Sequence, residues 1–383
     1  MIDHNRKIIY IAGFLFSIPM ALTSYINSSF LENHINAYNV SITYIVSSVL
    51  SILLMLKMPD LLTKIGNRLT TLVFGVLTLL SYLGLAFSNN SSVIVASFIL
   101  YFVSTNFILA SLDIFIEDFS KKRSIGSARG MYLMILNSAW VISQVISGSI
   151  IAKSSFKGIY LFSAGFILLF SVMFRIFLKN FKDPKDKKVP VIKTARVFIK
   201  NKNISRIYVL NFLLRFFFAW MIIYTPIYLV NYMNFGWAEI GGMFSIMLLP
   251  FVFLGFPLGK LSDKIGEKKI LTIGFLVSAF SLAFIPFFVM PNFWLWAGIL
   301  FMTRVGAATI EVMSETYFFK SVSEEDDDVI SFFRNTMPLS FIGAPLVAIP
   351  VLYLVPSFKY IFFVLSAVMF FGALVSLRLR DVR

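Results

Sequence analysis

Long uncharged runs alternate with short charged segments along the 383 residues of the chain. A membrane-spanning helix needs about 20 mostly apolar residues. Two runs are long enough for two helices each, and residues 88–91 and the prolines Pro286 and Pro291 mark where they divide. The pattern predicts twelve spanning helices, with edges uncertain by a few residues, near 8–31, 40–57, 70–88, 92–119, 128–152, 157–178, 206–231, 237–258, 270–289, 292–319, 329–350 and 358–377.

Prolines and tryptophans add detail to these spans. Pro19 is expected to kink or break the first span, and Pro226 to break the seventh near its outer end. Tryptophans at the ends of spans are typical membrane-interface anchors. On this basis we interpret three tryptophans as anchors: Trp237, Trp294 and Trp296.

Composition agrees with an all-α membrane protein. Hydrophobic residues make up 58% of the chain and charged residues 14%, whereas soluble domains carry about 25% charged residues. The chain has no cysteine, which excludes disulfides, thiolate metal sites and thiol nucleophiles. His4 and His34 lie outside the predicted spans, and the sequence shows no cluster typical of a catalytic or metal site. We therefore expect no enzyme activity, no cofactor and no metal.

The distribution of positive charge predicts the orientation. Of 34 Lys and Arg residues, only Lys153, Lys157 and Lys359 fall in loops that would face outside, and Arg215 and Arg304 fall deep inside spans. Lys and Arg are retained on the cytoplasmic side of membrane proteins. Both termini are thus expected in the cytoplasm. The protein itself is expected in the plasma membrane. The net charge of +15 then reflects topology, and no nucleic-acid partner is expected.

A basic segment divides the spans into two sets of six. We expect residues 1–178 to form an N-terminal six-helix bundle, residues 179–205 a basic cytoplasmic linker, and residues 206–383 a C-terminal six-helix bundle. The linker is interpreted either as a solvated connection or as a surface helix on anionic lipid. Its composition indicates no separate domain.

A charged segment at 259–269 separates two apolar runs. It contains five residues of interest: Gly259, Asp263, Lys264, Gly266 and Lys268. We interpret it as a short hairpin whose glycines permit close approach and tight turning. Residues 59–69 repeat it 200 positions earlier, with Leu, Lys, Ile and Gly in register and Arg68 matching Lys268. Thr63 stands where the acid belongs, and Pro59 replaces the first glycine. A duplicated half explains this recurrence.

The second copy resembles the loop signature of the major facilitator superfamily, which lies between the second and third helix of each half. The resemblance implies a major facilitator fold of two pseudo-symmetric six-helix bundles. It also implies a secondary active transporter that moves a small solute by alternating access. We expect a monomer in the lipid bilayer, and coupling to protons stays open.

Charged residues inside spans are costly and therefore functional suspects. The fourth and tenth spans each carry two acids spaced i,i+4, at an offset of 198, and the span after each begins with an arginine: Asp113, Glu117 and Arg129; Glu311, Glu315 and Arg334. The resemblance implies that acids and arginines of this kind, with the loop signature, form a latch on the cytoplasmic side. In the second half the latch would comprise Asp263, Lys264, Lys268, Glu315 and Arg334. Static salt bridges at helix ends are the alternative. Asp113 and Glu311, one turn deeper, are candidates for proton transfer.

Two arginines lie near the middle of spans that, by the resemblance, line a central cavity. A guanidinium binds carboxylate or phosphate in a planar, bidentate manner, so Arg215 and Arg304 favour an anionic substrate. The alternative is that they neutralise Asp113 and Glu311. Further substrate-binding candidates are polar or aromatic residues of the first, fourth, fifth and seventh spans: Tyr25, Asn106, Asn137, Trp140, Asn211, Trp220 and Tyr224.

Two other functions remain open at this point. One is efflux of amphipathic, drug-like compounds in exchange for protons. The fifth span carries Ser143-Gln144 in the region where drug antiporters of the superfamily have a Gly-Pro signature, which disfavours efflux. The other is a non-transporting membrane sensor or scaffold, which the altered first loop copy favours and the charged spans disfavour.

Overall fold

The computed structural model describes residues 2–118, 125–178, 201–321, 333 and 335–380. These residues are almost entirely helical. The helices are α1 (Ile2–Ser24), α2 (Asn27–Glu32), α3 (Ala37–Met55), α4 (Met58–Phe87), α5 (Ser91–Asp118), α6 (Ile125–Phe177), α7 (Lys202–Asn231), α8 (Trp237–Phe253), α9 (Gly255–Ile265), α10 (Glu267–Phe284), α11 (Phe293–Ser321), α12 (Thr336–Leu354) and α13 (Ile361–Ser376). Short 3₁₀ turns at Ile285–Phe287 and Phe358–Tyr360 precede α11 and α13.

The expected number of membrane crossings is present. Ten helices in the described ranges are long and apolar enough to span a bilayer. One of them, Met134–Phe177, has 44 residues and bends at Ser155 (φ 70°, ψ 179°), so it supplies two crossings. Together with the shorter apolar helix α8, of 17 residues, the described chain accounts for twelve. The prediction of an all-α membrane protein with twelve spans is confirmed.

The prediction of a helix break is wrong at both prolines. Helix α1 continues through Pro19, and the chain turns at Tyr25 and Ile26, where the Ile26 N–H donates to the Thr23 carbonyl at 3.0 Å. That i→i−3 bond tightens the chain before α2 begins. Helix α7 likewise continues through Pro226 to Asn231.

The three tryptophans interpreted as interface anchors have different environments. Trp294 is 75% exposed, whereas Trp296 is fully buried. The Trp296 indole donates to the Met290 carbonyl at 3.2 Å and its ring lies 5.8 Å from that of Tyr228. The anchor interpretation is therefore wrong for Trp296, because α11 turns this side chain into the helix packing.

The chain forms two compact units. The first comprises residues 1–188 with 236–242, and the second comprises residues 189–235 with 243–383. In the first unit α1 packs on α6, α4 packs on α5 and α6, and α3 packs on α5. In the second unit α10 packs on α11 and α13, and α7 packs on α11, α12 and α13. Residues 179–200 of the predicted linker lie outside the described ranges.

The repeated segment is mostly helical rather than a hairpin loop. Residues 255–265 form α9, and only Gly266 departs from helical geometry, with φ 85° and ψ 152°. The first copy has the same turn at Gly66, with φ 79° and ψ 159°. Residues other than glycine rarely adopt this conformation. Gly259 plays no comparable role, because a Cβ there would meet no atom of the described residues within 4 Å. The expected close approach at Gly259 is therefore wrong.

Candidate functional site

Helix α7 supplies one side of the candidate site. It begins after Asn201, whose side chain accepts hydrogen bonds from the Asn203 and Ile204 N–H groups. Such an N-cap satisfies two of the first four N–H groups of a helix. Most of α7 is buried, so Arg215 stands among apolar side chains. A charge in these surroundings requires a partner.

Helix α11 supplies that partner. Arg215 Nη1 lies 2.9 Å from Glu311 Oε1, and Arg215 Nη2 lies 3.7 Å from Glu315 Oε1. The two acids face the same arginine because residues spaced i,i+4 share one face of a helix. The side chains of Arg215 and Glu311 are 23% and 26% exposed. The pair is therefore neither sealed in the core nor fully solvated.

A second arginine lies two turns along α11. Arg304 precedes Glu311 by seven residues, which places both on one face of the helix. Arg304 is fully buried. Its Cζ atom lies 4.8 Å from the ring centroid of Phe217 and 5.4 Å from that of Phe218. Arg215 Cζ lies 5.6 Å from the same Phe218 ring. We call Arg215, Arg304, Glu311 and Glu315 the charged cluster.

The charged cluster contains two positive and two negative groups. Its net charge is zero when both acids are ionised, which agrees with the internal-pairing alternative for Arg215. An ion pair in a low-dielectric interior has a strong Coulombic attraction but a large desolvation penalty. The balance between the paired and the separated ions therefore changes when a third charge enters. The arrangement can therefore exchange one carboxylate partner of Arg215 for another, or release Arg215 when an acid is protonated.

Three other candidates on α7 lie in the packing of the second unit. Trp220 and Tyr224 are fully buried, and their rings lie 5.3 Å apart. Asn211 is 1% exposed, and its amide oxygen lies 2.7 Å from the Thr336 hydroxyl. The ring contact lies within α7, and the hydrogen bond joins α7 to α12.

The first-unit candidates are dispersed. The Asn106 amide donates to the Phe102 carbonyl of its own helix at 2.8 Å. Tyr25 is buried at the turn between α1 and α2, Asn137 is exposed, and Trp140 is half-buried. Asp113 is half-buried on α5. The structure thus does not bring these residues into one cluster.

The first unit instead contains a buried network of neutral side chains. The Thr23 hydroxyl lies 3.2 Å from that of Tyr101 and 3.4 Å from that of Tyr82. The Tyr160 hydroxyl donates to the Asn27 amide oxygen at 3.0 Å. All five side chains are at most 5% exposed. This network connects α1, α2, α4, α5 and α6.

Part of the predicted latch falls outside the described residues. Arg334 lies there, as do the side chains of Glu117, Arg129 and Asp263. In the described part, Lys264 is exposed and Lys268 is half-buried. Glu315, expected near Arg334, contacts Arg215.

Sequence reasoning missed an ion pair beside the signature. Lys320 Nζ lies 2.6 Å from Glu267 Oε1, and Glu267 is only 2% exposed. Glu267 directly follows Gly266, so its position in the signature was a signal for it. Phe217 and Phe218 were also missed; their signal was the aromatic triplet that follows Arg215. Among the described residues, no group of three or more His, Asp or Glu side chains is suited to a metal ion.

The family model described as Major Facilitator Superfamily matches residues 9–255 and 207–383. A solved structure of an auto-inhibited POT family peptide transporter aligns with TM-score 0.78 and 11% identity, covering 99% of this chain and 98% of that one.

Two further structures are similar to the same extent. A POT family transporter in complex with a thioalcohol conjugated peptide aligns with TM-score 0.77 and 13% identity. A POT family transporter in complex with 5-aminolevulinic acid aligns with TM-score 0.78 and 12% identity. In both cases the alignment covers 97% of this chain and 95% of the other. No curated protein matches the sequence. At such identities the structural likeness concerns the fold alone.

Proposed function

Because the chain belongs to the major facilitator superfamily, we propose that this membrane transporter is a proton-coupled secondary transporter of small organic anions, working by alternating access. The membership makes the chain a transporter rather than an enzyme. The substrate class and the coupling are our proposal. The single observation that carries it is the 2.9 Å ion pair between Arg215 and Glu311 inside apolar helices.

The pair supports coupling for an electrostatic reason. While Glu311 is ionised, it occupies the guanidinium of Arg215. Protonation of Glu311 removes its charge, and Arg215 then binds a substrate carboxylate through two parallel N–H groups. Binding of the proton therefore raises the affinity for the anion, and binding of the anion raises the affinity for the proton by the same factor. Glu315, at 3.7 Å from Arg215, offers a second acid for the same exchange.

The ligands of two structural neighbours suggest the first probes. One neighbour binds a conjugated peptide and the other binds 5-aminolevulinic acid. A peptide and 5-aminolevulinic acid are zwitterions whose carboxylate suits a guanidinium, so they test recognition of the anionic group. We therefore choose radiolabelled 5-aminolevulinic acid and dialanine.

The test uses the full-length protein in proteoliposomes with an imposed pH gradient. We expect a lower pH outside the proteoliposomes to drive accumulation of at least one probe inside them. Arg215→Gln is expected to lower uptake more than about tenfold, because one charged hydrogen bond contributes about 1.5–3 kcal/mol. Glu311→Gln mimics the protonated acid, so it should retain exchange of labelled for unlabelled probe while losing accumulation driven by the gradient.

Arg206→Gln provides the matched control. Arg206 lies on the same helix as Arg215, but its guanidinium donates to the Arg378 carbonyl. Its loss should leave transport unchanged. If gradient-driven uptake persists in both Arg215→Gln and Glu311→Gln, the proposed coupling is wrong. Proton-driven efflux of amphipathic cations without any anion transport would favour the drug-antiport alternative, and absence of all transport would favour a sensor or scaffold.

The proposal includes an orientation with both termini in the cytoplasm. It is supported by the basic residues near the repeated segments, among which Lys64 and Lys264 are exposed. The chain has no cysteine, so single cysteines report accessibility without background. In intact cells, Lys153→Cys should react with an impermeant maleimide and Lys264→Cys should react only after lysis. The reverse pattern would overturn the orientation.

A further inference from the structure

Phe218 contacts both arginines of the charged cluster. Its ring centroid lies 5.6 Å from Arg215 Cζ and 5.4 Å from Arg304 Cζ. The neighbouring ring of Phe251 lies 5.9 Å from that of Phe218 and packs beside it. One aromatic ring is thus shared by two guanidinium groups that come from different helices.

Such a ring does more than fill space. The face of an aromatic ring carries partial negative charge and attracts a guanidinium placed over it. This attraction offsets part of the repulsion between two like charges in a low-dielectric interior. It also acts on the face of the guanidinium, whereas hydrogen bonds use the N–H groups at its edge. A ring can therefore hold an arginine while its N–H groups remain directed at carboxylates.

We propose that Phe218 is a positioning residue for anion recognition: its ring holds Arg215 and Arg304 in the arrangement that receives a substrate carboxylate. This inference rests on the proposed function and adds a residue to it. Glu311 and the substrate carboxylate compete for a guanidinium whose place is set by the ring. Weakening the ring's π face should therefore weaken substrate binding even when the shape of the side chain is kept.

Fluorinated phenylalanines separate these two properties. Replacement of Phe218 by mono-, di- and trifluorophenylalanine keeps the ring and progressively weakens its attraction for cations. Uptake of radiolabelled 5-aminolevulinic acid by the full-length protein in proteoliposomes is the measurement. We expect KM to rise at each step, to about fivefold for the trifluoro form, while kcat changes much less.

Two controls test for a purely structural effect. The same series at Phe212, which packs against Phe216 on the same helix at 6.3 Å, should leave KM unchanged. Phe218→Tyr keeps the aromatic face and should restore the KM of the unaltered protein. Phe218→Leu removes the face and should raise KM at least as much as the trifluoro form.

The outcomes distinguish this inference from the proposed function. If the unaltered protein transports the probe and KM stays constant along the Phe218 series, the role of Phe218 is overturned. If the unaltered protein does not transport it, the proposed function fails for this carboxylate. Thermal unfolding then tests Phe218. The melting temperature should fall along the series and stay level in an Arg215→Gln, Arg304→Gln background. If the melting temperature falls equally with and without the two arginines, the contact between Phe218 and the arginines has no such role.

Discussion

The two copies of the repeated turn have the same backbone and different partners. Gly66 and Gly266 differ by only a few degrees in φ and ψ. The residue after each is buried: Asn67 is 1% exposed and Glu267 is 2% exposed. Asn67 donates its amide to the Ser111 carbonyl at 3.1 Å, whereas Glu267 binds Lys320 at 2.6 Å. One turn is stabilised by a neutral hydrogen bond and the other by an ion pair.

The same contrast appears deeper in the two units. Asn106 bonds to its own helix, while Arg304, at the matching position 198 residues later, contacts Phe217 and Phe218. The polar network around Thr23 joins neutral groups, and the charged cluster joins ionised ones. Both copies have glycine at this backbone conformation because few other residues adopt it. Charges can diverge, since each unit can satisfy a buried polar group in its own way.

The largest effect is expected at the ion pair of the second copy. Lys320→Met leaves the buried Glu267 carboxylate without this partner. Because Lys320 itself is 41% exposed, the expected cost is about 3 kcal/mol, the lower end of the range for breaking a buried pair. The free energy of unfolding in detergent micelles, from denaturant titration, is the measurement. Adding Glu267→Gln to the same chain removes the buried charge and should recover most of the loss. A double variant no more stable than Lys320→Met would contradict the ion-pair account.

Substitution of the turn glycine should destabilise the two copies equally. Gly66→Ala and Gly266→Ala each force a side chain into a conformation open mainly to glycine, at a cost of about 1–3 kcal/mol. Gly259→Ala is the matched control within α9: it meets no neighbouring atom and should be neutral or stabilising by about 0.5–1 kcal/mol. The same titration compares them. A large difference between the two turn variants would mean that the copies are not equivalent.

Loss of the neutral hydrogen bond of Asn67 in the first copy should lower the free energy of unfolding less than loss of the ion pair. Asn67→Ala removes one uncharged hydrogen bond to a carbonyl inside α5, which contributes about 1 kcal/mol. The free energy of unfolding should therefore fall less than in Lys320→Met. Asn67→Ser serves as the control for side-chain volume. If Asn67→Ala is as destabilising as Lys320→Met, charge does not explain the difference between the copies.

The sequence predicts the fold well and the contacts less well. Twelve spans follow from apolar runs, because the bilayer requires a minimum length of apolar helix. The spacing of Glu311 and Glu315 also identifies the acids that share a face. It does not reveal that both contact Arg215, since this depends on how α7 and α11 pack. Glu267 with Lys320, and Phe218 with two arginines, likewise depend on tertiary contacts between residues far apart in the chain.

The smallest effect is expected in the neutral network of the first unit. Tyr82→Phe removes a long 3.4 Å contact with Thr23, and Thr23 still donates to the Pro19 carbonyl at 3.0 Å. No buried donor is left unsatisfied at Thr23, so the loss should be less than about 1 kcal/mol. Uptake in proteoliposomes should be unchanged, in contrast to the loss expected for Arg215→Gln. A marked fall in uptake with normal stability would instead show that the neutral network takes part in transport. The proposed contrast, between a structural network in one unit and a transport site at the charged cluster in the other, would then no longer hold.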